Sequence, residues 1–144
     1  MIKFEQSIFI NRSPEEVFDY MSDPTNDMQW RDSAISAEWT SQAPHGVGST
    51  VRSVDKIMGR KMESTAEITA WERPTLWGQK SLEGPMPFEM TVRFEGKEQG
   101  SQLTLTGSAQ PGGFFKLAKG LVRKQLLAQL EADLNGLKRV LEAR

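Results

Sequence analysis

"SPEEVFDYMSDPTNDMQW", Ser13 to Trp30, holds two short helical patterns where one long helix would fit. Ser13 suits a helix cap and Pro14 the first helical position, and Glu15 and Glu16 fall near the positive end of the helix dipole. Val17, Phe18 and Met21 make an apolar side. Asp23-Pro24 then ends the helix, because the residue before a proline avoids the helical region. Thr25 or Asn26 can cap a second turn or two that reaches Trp30. Upstream, Ile2, Phe4, Ile8 and Ile10 share one parity, with Gln6 between them, which predicts a strand with one buried face. The chain therefore starts strand, helix, helix.

Downstream the period changes to two. Ile35, Ala37 and Trp39 alternate with polar neighbours and predict a second strand facing inward on that parity. "QAPHGVGS" reads as a loop and "TVRSVDK" as strand three. After a turn at Met58-Gly59-Arg60, Met62, Ser64, Ala66, Ile68 and Ala70 alternate with Lys61, Glu63, Thr65, Glu67 and Thr69 up to Arg73-Pro74. Leu76 to Leu82 makes a fifth strand, ended by Gly84-Pro85-Met86-Pro87. Phe88, Met90, Val92 and Phe94 mark the sixth, and Leu103, Leu105, Gly107 and Ala109 the seventh. Short turns between successive strands predict antiparallel pairing.

Pro111-Gly112-Gly113 separates these strands from a long helix predicted over Phe114 to Ala143, roughly 45 Å. Leu127, Leu130, Leu134, Leu137 and Leu141 form its buried stripe. Phe114, Leu117 and Leu121 project to the opposite side, while Arg123 falls on the stripe. Either the helix bends near Gly120 or its first half faces something else; a bend is favoured, because glycine weakens a helix interior.

The chain of 144 residues suits one domain, 1–144, and is long enough to bury a core without staples. With no cysteine and one histidine, disulfides, thiolate nucleophiles and Cys- or His-rich metal sites are excluded. Eighteen basic and nineteen acidic residues give a net charge of −1, so no global charge favours nucleic acid or an anionic membrane. The alternating N-terminus is unlike a signal peptide, and no apolar run is long enough to span a bilayer. The expectation is a soluble, cytoplasmic protein with no nucleic-acid partner, no stable membrane insertion, no metal and no cofactor. Nothing in the sequence specifies an oligomeric state.

The order β, α, α, six strands, α makes an α+β protein. One helix cannot cover a broad twisted sheet, so a concave space is expected where it does not reach. The small residues of strand four and the large, pliable ones of strand six suit a cavity wall. "SPEEVFDYMSDPTNDMQW", "GVGST" (46–50), "ITAWERPTLWG" (68–78) and "KQLLAQLEADLNGLKRVLEA" (124–143), taken in that order, resemble the START-like superfamily, within its SRPBCC group, and most of all its polyketide cyclase/dehydrase family. The resemblance spans nearly the whole chain. It implies a helix-grip fold: a seven-stranded antiparallel sheet wrapped around a long C-terminal helix, two short helices after strand one, and an enclosed hydrophobic cavity. It further implies a single START-like ligand-binding domain. Members of the family bind lipids, polyketides, quinones or hormones, and some are enzymes.

The candidate cavity wall is Trp30, Trp39, Val51, Ser53, Met62, Ser64, Ala66, Ile68, Phe88, Met90, Phe94 and Arg123. Gln6, Ser53, Asp55 and Ser64 are the polar groups expected on the inner face, with Lys80 joining them if Leu76, Gly78 and Leu82 point inward. A buried carboxylate or ammonium there would be poised as acid or base. Trp71 lies on the parity of Glu67 and Thr69 and is expected to face out or to cap the strand's end, and Trp77 is ambiguous. His45, in the "APHGVG" loop, is the only residue that ordinarily titrates near neutrality, but loop histidines are usually solvated. Gly46-Val47-Gly48 lacks the third glycine and following helix of a phosphate loop. No nucleophile motif accompanies the serines, and no catalytic residue carries over from the family. Lys116, Lys119, Arg123 and Lys124 form a basic cluster that reads as a solvated face or as an attractor of anionic head groups. The leading reading is a binder of a small hydrophobic ligand (lipid, polyketide or aromatic). A cyclase or dehydratase on a polyketide-like substrate and a protein-interaction module are the alternatives.

Overall fold

The computed structural model describes residues 1–112 and 116–144. The chain runs β1 (Ile2–Ile10), α1 (Pro14–Met21), a 3-10 turn (Pro24–Asn26), α2 (Asp27–Trp30), β2 (Ala34–Trp39), β3 (Thr50–Ile57), β4 (Arg60–Glu72), β5 (Leu76–Glu83), β6 (Phe88–Lys97), β7 (Gly100–Ala109) and α3 (Lys119–Glu142). The seven strands form one sheet in the order β1-β7-β6-β5-β4-β3-β2, and every neighbouring pair is antiparallel. β2 through β7 is a meander. β1 and β2, consecutive in sequence, occupy opposite edges. The two short helices are the bridge that carries the chain from one edge to the other.

Local chemistry makes the bridge. Ser13 caps α1 by accepting the amide N–H of Glu16, and Pro14 takes the first helical position. Val17, Phe18, Tyr20 and Met21 are buried. Asp23 caps the next turn, accepting from the Thr25 amide at 3.0 Å and the Thr25 hydroxyl at 2.7 Å. Asn26 holds the N-cap position of α2, as expected, but makes no side-chain cap bond there. Asn26 instead donates its side-chain amide to the Tyr20 carbonyl, tying the two helices together. Phe18 packs edge-on against Phe94 of β6 and Trp71 of β4, at centroid distances of 5.3 and 5.5 Å.

α3 lies against the sheet beside β1. Gln6 donates its side-chain amide to the Leu127 carbonyl at 2.9 Å, and Lys138 donates to the Phe9 carbonyl at 2.6 Å. α2 crosses α3 closely: a Cβ placed on Gly136 would lie 2.3 Å from the Trp30 carbonyl oxygen, so only glycine permits this approach. Leu134, Leu137 and Leu141 are buried as expected, with Leu127 and Leu130 half-buried.

Four expectations need correction. The long helix starts at Lys119. The start expected at Phe114 lies outside the described residues, and Leu117 sits in the turn before the helix. Gly120 therefore falls in the first turn, and the bend expected there is replaced by the helix start. Arg123 is exposed. The inward row at this end is buried Val122 followed by half-buried Leu126 and Leu130, spaced by four, which leaves Arg123 about 100° round from Val122. In β2 a register shift between Ala34 and Ser36 leaves Ile35 43% exposed, while Ala37 keeps the inward parity.

Candidate functional site

A cavity of about 200 Å³ lies between the sheet and α3. Alternation along the strands builds one wall: Val51 and Ser53 of β3, Met62, Ser64, Ala66 and Ile68 of β4, Trp77 and Gln79 of β5, Phe88 and Met90 of β6. Leu126, Leu130 and Leu134 of α3 close the other side, Trp30 and Pro24 come from the bridge, and Pro85 and Met86 from the β5–β6 turn. The wall is mostly apolar. Ser53 and Ser64 are a cross-strand pair with hydroxyls 3.3 Å apart, and the Gln79 amide lies 3.7 Å from the Met90 sulfur.

Nine of the twelve candidate wall residues lie in this lining: Trp30, Val51, Ser53, Met62, Ser64, Ala66, Ile68, Phe88 and Met90. Trp39, Phe94 and Arg123 lie outside it. Phe94 has the inward parity but sits further along β6, where the Phe18 ring covers it. Trp39 is half-buried, stacks on His45 at 3.7 Å between centroids, and lies 6.4 Å from Trp71. Arg123 lies on the exposed flank of α3. Trp71, expected to face out, is half-buried against Phe18, because a register shift between Ile68 and Ala70 flips the parity at the end of β4. Trp77 faces the cavity. Lys80 points away and is exposed, since Trp77 and Gln79 take the inward parity of β5. Gln6 anchors α3, and His45 is held by Trp39 and by a 3.3 Å contact to the Ser41 carbonyl.

One part of the wall is charged. Arg31, immediately after α2, contacts Asp27 of α2 at 3.1 Å, Asp55 of β3 at 2.5 Å and Asp133 of α3 at 3.7 Å. All four line the cavity. Gln129 donates to Asp133 at 2.8 Å, and the Ser33 hydroxyl lies 3.5 Å from Asp55. A single guanidinium thus faces three carboxyls from three elements. Burial pushes Asp27 up to about 6, against the pull of Arg31 and with the help of Asp55 and Asp133. Burial also pushes Asp133 up to about 6, opposed by Arg31 and the Gln129 hydrogen bond. Asp55 is raised by burial, with Arg31 and Ser33 opposing. Burial works against the Arg31 charge, but the three carboxylates outweigh it and hold the guanidinium above its ordinary value. The cluster can therefore hold a proton near neutrality beside an apolar chamber.

Strand parity singled out only Asp55 of this cluster. Asp27 and Arg31 carry a weak sign, their i,i+4 spacing, and Asp133 a better one: it is an acid next to Leu134 and three residues from Leu130, on the buried stripe. Among the described residues, no group of acidic and histidine side chains is arranged to hold a metal ion.

A curved antiparallel sheet gripping a C-terminal helix over an apolar chamber defines the helix-grip, START-like class. The sequence profile described as "polyketide cyclase / dehydrase and lipid transport" matches residues 1–142, and the chain belongs to that family. Among solved structures, the protein TTHA0849 from Thermus thermophilus is similar at 25% identity over 98% of both chains, with a TM-score of 0.85. The Zhui aromatase/cyclase from Streptomyces sp. R1128 superimposes with a TM-score of 0.79 at 19% identity, over 99% of this chain and 94% of its own. A START superfamily protein from Mycobacterium smegmatis gives a TM-score of 0.76 at 15% identity, over 98% of this chain and 99% of its own. No curated protein matches the chain.

Proposed function

We propose that the chain is a single START-like domain that binds one small hydrophobic molecule (a lipid, polyketide or aromatic compound) in the cavity between sheet and α3, and that it does so in the cytoplasm. The observation that carries this reading is the preformed apolar chamber of about 200 Å³, walled by rigid strands and one helix. That volume suits a compact ring system or part of a longer chain. Ser53, Ser64 and Gln79 would orient polar groups of the ligand, and Phe88, Met90 and Trp77 its apolar body. No helix among the described residues is long and apolar enough to cross a membrane. Trp30 and Trp77 in the wall provide a readout. Titration with a library of lipids and aromatic polyketides is expected to change tryptophan fluorescence and raise Tm for one chemical class. A library that moves neither signal contradicts the reading.

A second reading, a cyclase- or dehydratase-type enzyme, is favoured by the raised carboxyls of Asp27 and Asp133 in the wall. A carboxyl near 6 can give and take protons at neutral pH, and an apolar chamber can fold a flexible substrate into a reactive geometry. On this reading Asp133→Asn abolishes turnover of a bound polyketide-like substrate while leaving its binding intact. Retained turnover in that variant rules the reading out.

A further inference from the structure

We propose that the face formed by the turn before α3 and its first two turns docks the protein reversibly on anionic lipid bilayers. Leu117 is 96% exposed and Leu121 51% exposed, in a chain whose other leucines mostly pack inside. Lys116, Lys119, Arg123 and Lys124 lie in the same short stretch, at the start of α3, and are all exposed. Among the described residues none of these four cations is paired with a carboxylate. From residue 99 to residue 130 the sequence holds no Asp or Glu, although the whole chain is net negative at −1. Two exposed leucines at a helix end that also carries four cations fit a surface of hydrocarbon beneath anionic head groups. A protein groove would have to offer both features in the same array.

The position of this face strengthens the inference. Strand register puts Ile2 of β1, Ala109 of β7 and Phe88 of β6 at one end of the sheet. The Met1 amino group lies beside Lys119, so α3 begins at that same end. The β5–β6 turn is there too, and its Pro85 and Met86 line the cavity. A bilayer seated on Leu117 and Leu121 would therefore face the end of the sheet at which Pro85 and Met86 line the chamber. The contact is peripheral, since two leucines and four cations give reversible adhesion and no spanning segment.

The docking claim goes beyond the cavity reading and is tested without any ligand. Co-sedimentation is measured with vesicles of phosphatidylcholine alone and with roughly a third phosphatidylglycerol. Expected is partition onto the anionic vesicles only, lost at high salt. Lys119→Gln with Lys124→Gln should lower the partition coefficient roughly 25-fold, at about fivefold per charge. Leu117→Ser with Leu121→Ser should lower it about tenfold or more. Both double variants alter exposed side chains, and an unchanged Tm confirms that they fold. No partition of the wild type overturns the proposal, as does partition that both variants retain. Capture of a protein through the same leucines, with no vesicle binding, also overturns it. A ligand-induced Tm shift without vesicle binding leaves the cavity reading standing while this one falls.

Discussion

Replacing Arg31 with Met tests the charged cluster most sharply. The apolar stem is kept and the guanidinium removed, so Asp27, Asp55 and Asp133 lose the cation they share at 3.1, 2.5 and 3.7 Å. Breaking a buried charge pair costs about 3–5 kcal/mol, because the remaining charge is left uncompensated. The cost must depend on pH. In the wild type, Asp27 and Asp133 are raised from 3.8 to about 6. Their contribution to stability is complete below about pH 4 and is lost as pH rises through about 6. A displacement of that size corresponds to roughly 3 kcal/mol for one isolated carboxyl, and less than twice that for two that interact. Arg31 pulls all three carboxyls down, so without it they titrate higher still. Urea unfolding of Arg31→Met should show a loss of about 3–5 kcal/mol at about pH 7.5 and a clearly smaller one at about pH 4.5, where Asp27 and Asp133 are protonated. An equal loss at both pH values would refute the reasoning, because it would mean that Arg31 acts by packing alone.

Pro24→Ala should destabilise by about 1 kcal/mol and weaken ligand binding, since Pro24 is buried, fixes the corner between the two bridge helices and lines the cavity; unchanged stability and affinity would remove its architectural role. Gly136→Ala should cost about 1–3 kcal/mol by chemical denaturation despite the better helix propensity of alanine, because the new Cβ would meet the Trp30 carbonyl at 2.3 Å. A neutral or stabilising result would show that α2 is free to move away. Ala66→Leu should fill part of the chamber, so that ligand-induced fluorescence changes vanish while Tm is kept or raised; a ligand response equal to the wild type would place the ligand elsewhere.

The fold was legible because its signals are periodic and local. The clean alternation from Met62 to Ile68 put four residues on the cavity wall, and the Asp23-Pro24 break marked the bridge whose purpose is clear once β1 and β2 are seen at opposite edges. What failed was whatever depends on a single-residue shift or on tertiary placement. The register shift between Ile68 and Ala70 turned Trp71 inward, and that between Ala34 and Ser36 released Ile35. Neither shift has a mark in the sequence, because a bulge adds no special residue type. Arg123 falls on the buried side of an ideal wheel, but the row facing the sheet at that end runs through Val122 and Leu126. The Arg31 cluster escaped notice because its members come from α2, β3 and α3, elements that meet only in the folded chain.

Occupancy of the chamber by a small hydrophobic molecule is open to direct measurement. Native mass spectrometry of the protein purified from its native host, followed by release and identification of anything bound, tests it most directly. The expected result is a stoichiometric hydrophobic adduct that is retained by the wild type and lost in Ala66→Leu. Protein that carries no adduct, and that takes up no lipid, polyketide or aromatic compound offered in excess, would contradict it.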